Sequence, residues 1–265
     1  MDRRTELWLK QHDANERRLA VAIAAFFAWQ LSRVIAALDD FLTLTPTMVA
    51  HVFHPDEERR EFLRIIESHW LAAAIMGAVS EAELLHGLAR RGGKLTASVR
   101  DSINSFWSDA ARQSYWRDIQ AGTSRRLVEV IQQSVARGDD VQATANAIRE
   151  TLGDKVSEQR ALAIARTETT GAMNAGHQAQ LIETGASGIV LGKTWLTMED
   201  EVVRLTHSAL QDHTIKPEES FLVGGNGLDT GWPAAFPGDW RLPPEERINC
   251  RCMILPVVAG DSVPT

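Results

Sequence analysis

The chain begins with a long segment in which apolar residues recur every three or four positions. Between Thr5 and Phe41 it contains no Gly or Pro, and its apolar stripe consists of Leu19, Ile23, Phe26, Phe27, Val34 and Leu38. This spacing places side chains on one face of an α-helix. Because the residues from Ala20 to Ala25 are also apolar, we expect other helices or another chain to cover this helix on more than one side.

The same periodicity predicts further helices up to residue 152. They are expected over residues 54–85, 99–119 and 141–152. Thr45-Pro46 and His54-Pro55 resemble helix starts, because Pro is tolerated in the first helical turn. The turn at Gly138-Asp139-Asp140 is expected to cap the last of these helices. Residues 1–152 are therefore predicted to form an all-α region.

The pattern changes after Gly153. A long helix is predicted from Val156 to about Ile182, and it carries small residues on neighbouring rows: Ala161, Ala165, Ala172, Ala175 and Ala179. Small side chains would let another element approach this helix closely. A strand is predicted from Ile189 to Leu196 and a helix from Glu201 to Leu210.

The remainder of the chain is rich in Gly and Pro, which favours loops and short strands, up to a closing strand from Ile248 to Val258. The predicted fold class is α+β, with an all-α helical N-terminal region followed by a small α+β C-terminal module closed by a Cys-x-Cys strand. The predicted domains are a helical partner-docking region (1–152), the α+β domain (153–258) and a tail (259–265).

The amino-acid composition and net charge argue against some classes of function. The chain has 265 residues, of which 44% are hydrophobic and 24% charged, as is usual for globular proteins. Its net charge of -7 argues against a dedicated nucleic-acid-binding protein, so at most weak contact with DNA is expected. The most apolar run, from Leu19 to Trp29, is shorter than the roughly 20 residues of a bilayer span, and the charged N-terminus does not resemble a signal peptide. No membrane association is expected.

Both cysteines of the chain, Cys250 and Cys252, lie near its end. In an extended segment, residues i and i+2 point to the same face, so the two thiols would point toward the same neighbouring group. Together with His207 they form a candidate ligand set for a structural Zn²⁺ ion, with Asp200 or a water as fourth ligand. His213 lies six residues from His207, too far for one face of a continuous helix. The alternative is that two buried sulfurs pack against a hydrogen-bonded His.

A second polar group consists of Arg166, Glu168, Asn174 and Arg204. One interpretation is an enzyme, a nuclease or a nucleotide-dependent transferase, that uses Glu168, Arg204 and His207. The alternative is a buried ion-pair network that joins the long helix to the helix bearing His207. We favour the structural alternative, because enzyme chemistry would require a pocket and a perturbed carboxylate that sequence does not reveal.

The order of several motifs resembles a known family. The motifs are Arg166-Thr167-Glu168, Asn174, Gly185, Lys193-Thr194-Trp195, the block from Asp200 to His207, Phe221, and Asn249-Cys250-Arg251-Cys252. This series resembles the Mu F-like head-morphogenesis, or minor capsid, proteins of tailed bacteriophages. The resemblance covers Val156 to about Pro256, whereas the first half shares only the helical character of that family.

The resemblance implies a non-enzymatic virion protein present in few copies. Family members associate with the portal protein, enter the prohead, and influence DNA packaging or ejection. The expected location is therefore inside the head near the portal vertex, and the host cytoplasm during assembly. Some relatives carry a toxin domain after the shared module, which is not expected in a chain ending at Thr265. The helical half is expected to dock onto a portal ring, or onto copies of itself, through amphipathic helices.

Overall fold

A computed structural model of the chain describes residues 3–39, 54–89, 95–186, 188–224 and 231–258. The helices in these ranges are α1 (Arg3–Asp39), α2 (Pro55–Ala89), α3 (Ala97–Ser108), α4 (Ala110–Arg137), α5 (Val141–Leu152), α6 (Asp154–Gly185), α7 (Leu205–Ser208) and α8 (Pro244–Arg247). The strands are β1 (Val190–Leu196), β2 (Thr214–Ile215), β3 (Phe221–Gly224), β4 (Gly231–Ala234) and β5 (Met253–Val258).

The strands form two small antiparallel sheets. The first has the order β2-β1-β5, and its central pairing sets Lys193 opposite Pro256 and Trp195 opposite Ile254. The second is the pair β3-β4. All strands in the described part of the chain follow residue 189, and all residues assigned before that point are helical or in turns. The predicted α+β class, with a helical N-terminal region and a small C-terminal sheet module, is confirmed.

The long helix α6 is the element on which the rest of the fold packs. It contacts α1 and α2 along much of its length, and its other contacts include α3, β1 and β5. One core cluster joins residues from both halves of the chain, including Trp8, Trp70, Val99 and Ile103 from the helices and Trp195, Phe221, Phe236 and Met253 from the C-terminal module. The division into domains at residues 152/153 stays a prediction, but hydrophobic packing is continuous across it.

Helices α2 and α6 approach each other so closely that their backbones touch. A Cβ atom added to Gly176 would lie 1.9 Å from the carbonyl oxygen of Ala74, and one added to Gly77 would lie 2.3 Å from that of Met173. The neighbouring small residues Ala172 and Ala175 are fully buried. The close approach is made at two glycines that were not among the small residues named from the sequence, so the role expected for the alanines stays a prediction.

Three predicted boundaries need correction. Residues 99–119 do not form one helix, because Asp109 leaves helical geometry, with a ψ of 131°, between α3 and α4. The helix predicted over 201–210 is reduced to the single turn α7, preceded by a turn in which Val203 N–H donates to the Asp200 carbonyl. The closing strand begins at Met253 instead of Ile248, because α8 and a backbone reversal at Asn249 precede it. The predicted helix start at Thr45-Pro46 lies outside the described residues.

The apolar stripe of α1 is buried as predicted. Leu19, Ile23 and Phe26 are at most 4% exposed and form a cluster with Phe62 and Ile66 of α2 and with residues of α6. The segments Thr5–Leu38 and Asp56–Glu83 are, by length and composition alone, long and apolar enough to cross a membrane. Helices in the core of soluble proteins meet the same criterion, and the absence of membrane association stays an expectation.

Candidate metal centre

His207 and the two cysteines, which are 43 and 45 residues apart along the chain, meet in the folded protein. The Nδ1 atom of His207 lies 3.7 Å from the Sγ of Cys250 and 3.5 Å from the Sγ of Cys252. The three side chains are at most 3% exposed, and their candidate ligand atoms lie within 4.8 Å of one another. The structure thus places the three predicted ligands in one buried cluster.

Polar side chains on one face of α6 bind the backbone of residues 249–254, which we call the cysteine segment. The bonds are from Asn249 N–H to Thr167 Oγ1 (3.0 Å), from Thr170 Oγ1 to the Cys250 carbonyl (2.7 Å), from Asn174 Nδ2 to the Cys252 carbonyl (2.9 Å) and from Ile254 N–H to Asn174 Oδ1 (3.1 Å). Buried backbone groups need such partners where no strand provides them. Helix α6 therefore fixes the position of both cysteines.

Sequence reasoning had singled out Asn174 but assigned it to a buried ion-pair network, and it missed Thr170. The available signal was the spacing: Thr167, Thr170 and Asn174 lie three and four residues apart and share one helix face. Polar residues at this spacing on an Ala-rich helix indicate a buried hydrogen-bonding row.

The N-terminal helix also supports the cysteine segment. The Nε2 atom of His12 in α1 lies 2.8 Å from Thr170 Oγ1. Because the Thr170 hydroxyl donates its proton to the Cys250 carbonyl, it must accept from the Nε2–H of His12. Burial lowers the pKa of His12, which favours the neutral ring. Two successive hydrogen bonds thus connect α1 to the Cys250 carbonyl in the cysteine segment. No sequence motif indicated this connection.

Asn249 begins the cysteine segment in an unusual backbone conformation. Its φ angle is 60°, in the left-handed region that Asn and Gly tolerate better than other residues. The Cys250 N–H closes the same turn by donating to the Arg247 carbonyl at 3.1 Å. The asparagine of the Asn-Cys-Arg-Cys motif is therefore suited to the chain reversal that delivers Cys250 to His207.

This geometry predicts how substitutions at Asn249 should behave. Asn249→Val should lower the free energy of unfolding by about 1–2 kcal/mol, because a β-branched residue is strained in the left-handed region. Asn249→Gly should leave it within about 0.5 kcal/mol of the original value. Urea denaturation followed by tryptophan fluorescence measures both. Equal losses in the two variants would show that the side chain, and not the backbone conformation, matters there.

The run Lys193-Thr194-Trp195 lies on β1 beside the cluster. The Trp195 ring meets the His207 ring edge-on, with centroids 5.3 Å apart. The buried Nζ of Lys193 donates to Gln178 Oε1 at 3.0 Å and to the Ala235 carbonyl at 2.8 Å. Burial lowers the pKa of Lys193 to about 8. These residues fix β1 and the adjoining loop in place against α6.

The two thiols influence each other strongly. A hydrogen bond from Cys252 lowers the pKa of Cys250 well below its usual value. The same hydrogen bond between the two thiols raises the pKa of Cys252, and burial raises it further. A metal ion would bind both sulfurs as thiolates.

The residues present fit a zinc ion. Bond lengths of about 2.3 Å to sulfur and about 2.0–2.1 Å to nitrogen in a tetrahedral site separate those two atoms by about 3.6 Å. The observed distances from Nδ1 of His207, 3.5 and 3.7 Å, agree with that value. A single nitrogen lone pair can accept only one S–H hydrogen bond well, whereas one cation can bind all three atoms. His207, Cys250 and Cys252 are thus compatible with a metal site.

A small cleft of about 260 Å³ opens beside the cluster, where a fourth ligand would have access. Besides the three candidate ligands, Met198, Asp200 and Arg204 are among its lining residues. The Asp200 carboxylate accepts a hydrogen bond from the Arg251 guanidinium at the surface. His213 is engaged elsewhere, since its ring packs edge-on against Phe221 with centroids 6.2 Å apart.

Two arginines of the predicted ion-pair network, Arg166 and Arg204, have other partners. Arg166 pairs with Glu16 of α1 at 3.1 Å, so this charge joins α6 to α1 and not to the segment carrying His207. The Arg204 guanidinium donates to the Ile248 carbonyl. Arg204 and His207 line the same cleft, while Glu168, on α6, is not among the described residues that line it. The three residues of the enzyme interpretation therefore do not share this cleft.

Comparison with known proteins gives one family match and one partial similarity. Residues 125–255 match the family model described as Phage Mu protein F like protein. A segment of 108 residues is 32% identical to the NAD(+)–arginine ADP-ribosyltransferase EFV of Enterococcus faecalis (strain ATCC 700802 / V583). That segment is 41% of this chain but only 21% of the enterococcal protein. No solved structure matches the chain.

The family match begins within α4 and ends within β5. It therefore includes the whole polar face of α6, the turn carrying His207 and both cysteines. Residues 125–255, just under half of the chain, are therefore similar to the phage Mu protein F-like family.

Proposed function

We propose that the protein is a minor head protein of a tailed phage or phage-like particle, bound at the portal vertex and acting in head morphogenesis, DNA packaging or ejection. The match of residues 125–255 to the phage Mu protein F-like family carries this proposal, because it supports a head-related role for that segment. The helices α1, α2 and α3 precede the family match and supply the surface for a partner.

A groove between α1 and α2 supports a docking role for these helices. Phe26, Trp29 and Ile65 contribute apolar surface, and charged residues such as Arg60 and Glu61 line its rim. Val21, also on α1, is 71% exposed. Apolar surface surrounded by charges is typical of partner-binding sites, and we expect the portal protein to bind here.

Co-expression with the portal protein encoded in the same phage or prophage genome tests this function. The two proteins should elute together in size-exclusion chromatography. Ala25→Glu introduces a charge at an exposed position of the groove and should abolish co-elution, whereas Ala143→Glu, exposed on α5, should preserve it. Separate elution of the unmodified proteins would contradict the proposal, and equal co-elution of both variants would exclude this groove as the contact.

We also propose that His207, Cys250 and Cys252 hold a structural zinc ion that fixes α7 to the cysteine segment. Zinc, as a Lewis acid with no redox chemistry, would here supply only bonds between distant parts of the chain. Elemental analysis of protein purified without chelators should give one zinc per chain, and the His207→Ala variant should contain none. Protein that remains zinc-free after incubation with zinc under reducing conditions would exclude this role.

An enzyme remains the second candidate, favoured by the partial similarity to an ADP-ribosyltransferase. The chain covers about a fifth of that protein, so its named activity is here only a hypothesis. If Glu168, Arg204 and His207 were catalytic, their Ala variants should lose NAD⁺-dependent transfer to arginine, or nuclease activity, without losing stability. We expect no turnover by the unmodified protein in either assay.

A further inference from the structure

We propose that Glu246 is a positioning residue of the metal centre, which holds the imidazole of His207 so that its Nδ1 lone pair points at the two sulfurs. The inference rests on the zinc site proposed above and adds a residue that does not touch the ion. Glu246 lies on α8, outside every motif on which the family resemblance was based.

The two nitrogens of His207 face chemically different partners. Nε2 lies 3.2 Å from Oε2 of Glu246, a close contact whose angle is too bent for a hydrogen bond, while Nδ1 lies 3.5 Å and 3.7 Å from the sulfurs of Cys252 and Cys250. A neutral imidazole has one N–H and one lone pair, and an ionised carboxylate can only accept. The arrangement therefore places the proton on Nε2 and the lone pair on Nδ1, where a metal ion needs it.

Glu246 is itself held in a fixed orientation. Its side chain is 9% exposed, and its Oε2 accepts a hydrogen bond of 2.8 Å from Thr206 Oγ1, the residue before the histidine. A Cβ atom on Gly224 would lie 2.9 Å from Oε1, so the backbone at Gly224 encloses the other side of the carboxylate. A buried carboxylate fixed in this way restrains the ring plane of His207.

This geometry is a carboxylate–histidine–metal arrangement. In such arrangements the carboxylate fixes the tautomer and the ring orientation, and loss of such a partner typically weakens metal binding by about 10–100-fold. A purely structural Glu246 would affect stability equally with and without zinc. The two roles therefore differ in what happens to zinc affinity.

The experiment compares Glu246→Gln and Glu246→Ala with Glu245→Gln, an exposed neighbour on the same helical turn, in the full chain. Zinc affinity is measured by competition with a chromophoric chelator under reducing conditions. Glu246→Ala should bind zinc about 10–100-fold more weakly. Glu246→Gln should fall between that variant and the original protein, because its amide oxygen keeps a partial negative charge beside Nε2–H but loses the full charge of the carboxylate. Glu245→Gln should bind as the original protein does. Equal affinities in all four proteins would overturn the proposal.

A second measurement separates this inference from the zinc proposal. Nitrogen-15 NMR of the zinc-free protein, with the His207 signal assigned by its absence in His207→Ala, should show the proton on Nε2. In Glu246→Ala this preference should be reduced. If the protein bound no zinc but retained this tautomer pattern, the zinc proposal would fail while Glu246 would still be shown to position the ring. A proton on Nδ1 in the original protein would overturn the positioning role.

Discussion

Replacing Gly176 with Ala is expected to lower the free energy of unfolding by about 3 kcal/mol or more, or to prevent folding. The added Cβ would lie 1.9 Å from the carbonyl oxygen of Ala74 and 2.9 Å from the backbone nitrogen of Ala78. These atoms are backbone and cannot rotate away, so α2 and α6 would have to separate. That separation would open the core that joins the helices to the C-terminal module.

Gly122→Ala is the matched control for this prediction. Gly122 is also within a helix, but a Cβ there would meet nothing closer than Arg160 Nη2 at 3.6 Å. Because Gly weakens a helix interior, this substitution should raise the free energy of unfolding by up to about 1 kcal/mol. Urea denaturation of both variants gives the comparison. A loss of less than about 1 kcal/mol for Gly176→Ala would mean that α2 and α6 can move apart at little cost in free energy.

Removal of the proposed zinc should cause the second large loss of stability. Zinc that binds only the folded chain stabilises it by about 4 kcal/mol at a free concentration 1,000-fold above its dissociation constant. Chelation should therefore lower the melting temperature of the original protein. Cys250→Ser and Cys252→Ser should abolish this zinc-dependent increment, whatever effect each substitution has on the zinc-free protein, because each removes a thiolate ligand.

His213→Ala is the control for the zinc prediction. His213 belongs to the same module, but its ring packs on Phe221 and it is not part of the ligand cluster. This variant should melt at a lower temperature yet keep the full difference between the zinc-loaded and chelator-treated forms. Thermal unfolding of each protein, with zinc and with chelator, measures the increment. If both Cys→Ser variants kept the zinc-dependent increase in melting temperature, the ion would have to bind elsewhere.

Some features of the site were predictable because they depend on local chemistry. Thiols two residues apart face the same way in an extended segment, and thiolates together with imidazole are ligands that zinc prefers. The sequence order of His207, Cys250 and Cys252 was therefore enough to propose the set. The packing of His213 on Phe221, and not helical spacing, separates it from the set, because α7 ends at Ser208. That proposal remains to be tested with metal, but the convergence of the three side chains is observed.

Other members of the site depend on which elements pack together. Glu246, Thr206 and His12 belong to no common motif, and each reaches the site through a contact made only in the folded chain. Arg166 was assigned the wrong partner for the same reason, because sequence does not say that α1 lies against this part of α6. Spacing along one helix identifies a face but not what covers it.

By itself, the sequence determined the helical first half, the change of character after residue 153 and the chemistry of the three candidate ligands. Periodicity and residue type act over a few positions, so they can be read directly from the chain. The tertiary structure alone decided that α6 holds the cysteine segment, that α1 contributes to its support and that Glu246 faces His207. These contacts join residues up to 158 positions apart, and only packing of the whole core fixes them.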